Sequence, residues 1–336
     1  MGTTLKDLSE RTGVSKSVIS MYLNKDPRVR LGEAKKKLID AAATEMNYRP
    51  SHMACSLRKG RTQLLGLVVG GISDPFFSNL VEACLKYVED YGYQLLISLT
   101  SWDEKRERKC LETLLDRQVD GVIYAPRFPD DDAFRERIIG YGTPIVLMNR
   151  RVPGLPAVCQ DPRKAFDAMA GMFRERGCGT LAMPNYPSSE STMFFTAACE
   201  KQGIRPRVMF FDSDREIVER MFREKPEFLY IPSCWIAKDL LKLIRERNDG
   251  YRPVFVTGYN FPVDLIEDDG LAGVIHGHVY PYIKGVVDLL IECVEGAEKG
   301  NVPETAPRLT DMTFYPAKEF FRIRNLLKDT MQKANG

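Results

Sequence analysis

From Leu64 to about residue 296 the chain alternates short apolar runs with stretches of helical period, and that alternation admits few folds. The run from Leu64 to Gly70 is almost continuously apolar and ends in Gly70-Gly71, the pattern of a strand buried on both faces. Helices predicted over 76–91, 103–117 and 131–141 separate strands predicted over 94–99, 120–125 and 144–148. The alternation resumes after residue 160. Helices over 162–176, 189–202, 213–224 and 235–247 interleave with strands over 179–183, 207–211, 227–231 and 253–257. A strand over 272–275 and a helix over 280–296 close the series, and the basic tail after Arg322 is expected to be helical or frayed. Strands joined through helices run parallel and need helices on both faces. The spacing therefore predicts two α/β halves of about five strands each. Such sheets bind ligands at the carboxyl ends of their strands, so the cleft between the halves is the expected ligand site.

The segment before this region follows a different pattern. Thr4 to Thr12 reads as a short helix with Thr4 as N-cap, Asp7 three residues on, and Leu5 and Leu8 on one face. Gly13 breaks it at a left-handed turn position. Ser15 caps a second helix reaching Asn24, with Ile19, Tyr22 and Leu23 inward and Lys16, Ser17, Ser20 and Met21 outward. Asp26-Pro27 stops it. A third helix is expected from Glu33 to Asn47, with Leu38, Ala42 and Met46 stacked every four residues. Two short helices around a glycine turn with a supporting third helix make a helix-turn-helix. After Pro50, residues 51–61 suggest a short helix with Leu57 beside Arg58, Lys59 and Arg61.

Charge separates the same regions. Residues 1–63 hold thirteen Lys and Arg against six Asp and Glu, while the remainder holds 35 against 40. A basic block on a near-neutral chain points to a polyanionic partner for that end. The eight cysteines are scattered without a C-x-x-C pair, and His276-Gly277-His278 has no matching acid or thiol cluster in sequence, so no metal or other cofactor is expected. No stretch approaches the ~18 apolar residues of a membrane span. The first twenty residues lack an apolar signal core, which leads us to expect a cytoplasmic protein that does not engage membranes. Gly66 to Gly71 lacks dinucleotide-fingerprint spacing, and P-loop, serine-elbow and paired-carboxylate motifs are missing, which argues against an enzyme or a simple ligand-binding module on an α/β fold.

These motifs together resemble the LacI/GalR family of bacterial transcription regulators. The resemblance rests on Thr4-Leu5-Lys6-Asp7-Leu8, Gly13-Val14-Ser15-Lys16-Ser17-Val18-Ile19-Ser20, Leu23-Asn24 and Asn47-Tyr48-Arg49-Pro50. It continues through Ala54-Cys55-Ser56-Leu57-Arg58, Pro75-Phe76-Phe77 and Val119-Asp120-Gly121-Val122-Ile123, and fades after about residue 150. It implies a headpiece over 1–50, a hinge helix over 51–62, and a sensing and dimerisation domain over 63–336. That domain would be two parallel-sheet α/β subdomains like those of periplasmic binding proteins. It also implies a homodimer on a pseudo-palindromic double-stranded DNA operator, more often as a repressor, controlled by a small-molecule effector. Lys16 and Ser17 match the family's base-reading positions, where a Lys can donate to guanine. Thr4, Ser15, Ser20, Asn24, Arg30 and Tyr48 match phosphate contacts. Ala54, Leu57 and Arg58 match the hinge, with Leu57 as the wedge between base steps. Met21 stands where the family usually has Arg.

The sensor departs from that pattern. Met193, Phe194 and Phe195 replace a sugar-gripping Arg, Ser233-Cys234 replace Asn-Asp, and Asn260 replaces an Asp after Gly258-Tyr259. A sugar pocket needs polar partners for buried hydroxyls. Two expectations follow. Either the effector is more apolar or aromatic than a sugar, held by Phe76, Phe77, Phe194, Trp235 and Asn260, or the domain has lost small-molecule binding and serves dimerisation or a protein partner.

Overall fold

The computed structural model describes residues 3–23, 28–48, 61–73, 75–126, 131–184, 191–211, 214–259, 271–298 and 306–320. The chain divides into two compact units, residues 1–63 and 64–336.

The first unit holds three helices: α1 (Leu5–Thr12), α2 (Lys16–Leu23) and α3 (Glu33–Glu45). Thr4 and Asp7 close a reciprocal capping box at the start of α1, which satisfies two of its orphan amides. Gly13 ends α1 in the left-handed region at φ 67°, where a side chain would be strained. Leu8, Val14, Ile19, Ile39 and Ala42 form the core, with Leu5, Tyr22, Leu23, Met46 and Tyr48 packed around it.

Two details differ from the sequence reading. Leu38, expected inward on α3, is 47% exposed, and Ile39 is fully buried in its place. A strict four-residue spacing drifts around a helix of 3.6 residues per turn, so the face is set by Ile39, Ala42, Ala43 and Met46. Ser20, expected outward on α2, is 3% exposed. It follows Ile19 directly on an eight-residue helix packed against α1, and its small side chain fits that flank.

The second unit contains two six-stranded sheets. Its elements begin with β1 (Leu64–Val69), α4 (Pro75–Asp90), β2 (Gln94–Leu99), α5 (Glu104–Asp116), β3 (Gly121–Tyr124), α6 (Asp132–Gly140), β4 (Ile145–Met148) and β5 (Ala157–Asp161). They continue with α7 (Arg163–Glu175), β6 (Thr180–Pro184), α8 (Ser191–Lys201), β7 (Arg207–Phe211), α9 (Asp214–Glu224), β8 (Phe228–Ile231) and α10 (Cys234–Arg247). Last come β9 (Val254–Tyr259), β10 (Leu271–His276), α11 (Val279–Glu298), β11 (Arg308–Asp311) and β12 (Thr313–Pro316).

The first sheet has the order β11-β5-β4-β3-β1-β2 and is parallel throughout. The second has the order β12-β10-β9-β8-β6-β7, with only β12 antiparallel. Strand β1 shows why its run is apolar. Leu65, Leu67 and Val69 pack on one face with Leu80, Cys84 and Val88 of α4 and Tyr282, Val286 and Leu290 of α11. Val68 packs on the other face with Leu111, Leu114 and Leu115 of α5. Burying each such side chain stabilises the sheet by roughly 1.5–3 kcal/mol.

The halves are interleaved rather than sequential. The chain passes from the first sheet to the second after β5, returns after β10 through α11, and passes again between β11 and β12. Sequence reading placed the 280–296 helix with the second half, yet its buried residues join the core of the first. Strands β5, β11 and β12 carry no alternating pattern: β11 is Arg-Leu-Thr-Asp and mostly exposed. The tail after Arg322 lies outside the described residues.

Candidate functional site

Two groups of residues in the structure carry chemistry that packing does not use. The first lies on the basic unit. The turn Gly13-Val14-Ser15 buries Val14 and directs the chain into α2, whose first residues, Lys16 and Ser17, are exposed. Ser15 Oγ and Ser17 Oγ lie 3.2 Å apart, and the Ser15 carbonyl accepts from the Ile19 amide. Lys6, Arg11 and Lys36 are each ion-paired with Glu10, Glu45 and Glu33. Among the described residues, Lys16 and the exposed Arg30 have neither a hydrogen bond nor an ion pair. Glu10, Glu45 and Glu33 thus neutralise other cations and leave Lys16 available to an outside anion. Asp7 is held below the usual carboxylate range by the Thr4 amide and then its hydroxyl, so it serves the cap.

Thr4 is therefore engaged in its own capping box, with Oγ1 donating to Asp7 at 2.8 Å. Tyr48 is half-buried against the core, and its amide donates to the Ala43 carbonyl. Asn24, Ala54, Leu57 and Arg58 lie outside the described residues. Lys16, Ser17 and Ser15 thus come together at one helix start, while Ser20 is turned inward.

The second group lies at the carboxyl ends of the first sheet's strands. Phe76 and Phe77 open α4 just beyond β1, with ring centres 5.0 Å apart. Phe77 meets Trp102, which follows β2, edge to face at 5.1 Å. Trp102 is 44% exposed, and its ring covers Gly70 so closely that a Cβ there would overlap it. Ser101 and Trp102 both have positive φ, at 53° and 61°. Sequence reading missed Trp102, because nothing in Thr-Ser-Trp-Asp signals which way the ring turns. On the second sheet, Phe194 sits in α8 and is half-buried against that half's core. Trp235 lies in the first turn of α10, directly after β8. Asn260 lies outside the described residues. The strand ends thus bring Phe76, Phe77 and Trp102 together, while Phe194 is committed in part to packing.

His276 and His278 come close, with their Nδ1 atoms 3.1 Å apart. No cluster of three or more metal-ligating side chains occurs among the described residues. No helix among them is long and apolar enough to cross a membrane.

Comparison with known proteins supports the same division. A family model described as "Periplasmic binding proteins and sugar binding domain of LacI family" matches residues 62–231, and one described as "Bacterial regulatory proteins, lacI family" matches residues 4–51. The transcriptional regulator DegA of Bacillus subtilis is 31% identical over 173 residues, covering 50% of this chain and 51% of that protein. The ribose operon repressor of Escherichia coli is 38% identical over 120 residues, 36% of each. The matched stretch therefore spans about half the length of one of these curated relatives and about a third of the other. A crystal structure of the lac repressor dimer bound to operator and the anti-inducer ONPF superposes with a TM-score of 0.76 at 18% identity, covering 95% of this chain and 99% of that one. At that identity the likeness concerns the fold.

Proposed function

Because the chain belongs to the LacI family of bacterial regulatory proteins, we propose that it is a sequence-specific transcription regulator, not an enzyme. It binds a pseudo-palindromic operator as a dimer and acts more often as a repressor. One observation carries this reading: the exposed, unpaired Lys16 beside Ser17 at the first turn of α2, on a unit where Lys6, Arg11 and Lys36 are each held by a glutamate.

The roles follow from the geometry and chemistry. Lys16 and Ser17 read base edges in the major groove. Ser15 and Arg30 touch phosphate, with Thr4, Asn24 and Tyr48, and these fix register, while Arg58 meets DNA as part of the hinge. Leu57, with Ala54, wedges the minor groove when residues 51–62 form a helix. Ser20 supports α2 from its buried side. Residues 1–50 form the headpiece, 51–62 the hinge, and 63–336 the sensor. A protein whose partner is chromosomal DNA works in the cytoplasm.

The sensor responds to a small effector between the α/β halves. Phe76, Phe77 and Trp102, together with Phe194, Trp235 and Asn260 from the other half of the sequence, favour a ligand with an apolar or aromatic face over a fully hydroxylated sugar. Effector binding shifts the halves between two arrangements, and the dimer passes that bias to the hinge. The test is a binding series with Lys16→Ala. The variant should keep its helix content and weaken operator binding, with the loss concentrated at one base position per half-site. Unchanged affinity and unchanged base preference would remove Lys16 from the interface.

A further inference from the structure

The three segments that join the halves meet at one cluster. At the first crossover, the Gln160 side chain donates through Nε2 to the Gly277 carbonyl at 2.5 Å, while its amide donates to Asn149 Oδ1. At the second, His276-Gly277-His278 links β10 to α11. At the third, Thr313 begins β12 in register with His276, and its Oγ1 lies 2.8 Å from His278 Nε2. The Met312 amide donates to the Asp161 carbonyl, and Lys164 pairs with Asp311, so the first and third crossovers are also tied. Gly277 is required by the close approach, because a Cβ would lie 2.1 Å from Gln160 Nε2.

With both rings neutral, the bonds fit one arrangement of protons. The His278 amide points at His276 Nδ1 at 3.3 Å, so that nitrogen carries a lone pair. His278 Nδ1 lies 3.1 Å from the same atom and must hold a proton to donate to it. His278 Nε2 is then an acceptor, and Thr313 donates to it. His276 Nδ1 accepts two bonds and has no place for a proton of its own.

We propose that His276 and His278 form a proton-sensitive latch across the three crossovers, so that acid loosens the joint between the two α/β halves. Protonating His276 at Nδ1 turns the acceptor into a donor and sets it against the His278 amide and ring. Tyr315 on β12 has its ring centre 6.4 Å away, Tyr259 on β9 lies opposite in register, and the carboxylates Asp161 and Asp311 already face Arg163 and Lys164. Burial first, and the neighbouring His278 second, push His276 down to about 4 from its ordinary 6.5. The opened state therefore binds the proton more tightly. The latch is at full strength above about pH 6.5 and is lost as pH falls towards about 4. Between pH 7 and pH 5 the ratio of latched to open joint falls about twentyfold. The consequence for operator affinity rests on the regulator reading, whereas the latch itself does not.

Hydrogen exchange on the full chain, without DNA, tests it. Rates at pH 7 and pH 5 are corrected for intrinsic chemistry and compared between peptides covering 158–164, 274–282 and 309–315 and the core strand 64–69. The crossover peptides should lose about twentyfold in protection relative to the core strand. His276→Asn places an amide oxygen near the Nδ1 position without a titrating group, and should abolish the difference. Equal changes in all peptides, or the same change in His276→Asn, would overturn the latch. A second readout needs no folded variant at position 276. The chain has three histidines, and His52→Gln removes one signal from a ring titration by NMR. A His276 ring titrating near its ordinary value would also overturn it.

Discussion

Replacing Ile39 by Ala should unfold the three-helix unit while leaving residues 64–336 intact, whereas replacing its neighbour Leu38 should do almost nothing. Ile39 is fully buried among Leu8, Val14, Ile19 and Ala42, while Leu38 is 47% exposed. Truncation of Ile39 removes about three methylene equivalents at ~0.8 kcal/mol each and leaves a cavity, for a total of about 2–5 kcal/mol. A unit of this size has a stability of roughly 3–9 kcal/mol at typical values per residue. The loss thus takes much or all of it. Leu38→Ala gives up part of one partly exposed side chain, creates no cavity and gains helix propensity, so its net effect stays below about 1 kcal/mol. The assay is thermal unfolding of the full chain followed by circular dichroism and calorimetry, with operator binding measured in parallel. Ile39→Ala should melt the helical unit early, leave the main transition of residues 64–336 in place, and abolish specific DNA binding. Leu38→Ala should match the wild type in all three. Equal losses in the two variants, or a larger loss in Leu38→Ala, would refute the face assigned to α3.

Other outcomes follow from the same geometry. Tyr124→Phe should destabilise residues 64–336 by about 1–3 kcal/mol, because the Tyr124 hydroxyl donates to the buried Glu107 at 2.7 Å and the carboxylate would lose that partner; a denaturant titration measures it. Gly13→Ala should cost about 1 kcal/mol in headpiece stability, since φ 67° disfavours any side chain there, and calorimetry of the first transition reads it. Trp102 and Trp235 are the chain's two tryptophans, so an aromatic effector should change intrinsic fluorescence and raise the melting temperature; a flat response across a broad metabolite panel would favour a sensor that has lost its ligand. Lowering the salt concentration should tighten operator binding steeply, and Lys16→Ala should reduce that slope by about one if the ammonium displaces a counterion.

Much of the fold could be read in advance because it rests on periodicity. The β1 run, the paired aromatics after it and the capping box at Thr4 all announce themselves within a few residues. The missing pieces are those fixed by distant contacts. Strands β5, β11 and β12 are short, partly polar and held by neighbours far away in sequence, so no local period marks them. The return of α11 to the first half depends on which sheet its apolar face meets, which a helical pattern does not state. At the candidate site, the position of Lys16 followed from the turn before it. The inward turn of Ser20 did not, because a small polar residue on a short helix suits either environment. Trp102 was overlooked for a similar reason: its placement depends on two consecutive left-handed residues that a Ser-Trp dipeptide does not advertise. The His276–His278 pair was visible as a motif, but its partners Gln160 and Thr313 are brought to it only by the crossovers.

The central claim is that residues 1–62 select a DNA sequence on behalf of the sensor. Genomic fragments incubated with the full chain, recovered and sequenced at two salt concentrations, test it most directly beside a chain lacking those residues. The account predicts enrichment of a pseudo-palindromic site by the full chain, weakened by salt and absent without the headpiece. Equal recovery of DNA by the truncated chain, or no selected sequence at either salt concentration, would contradict it.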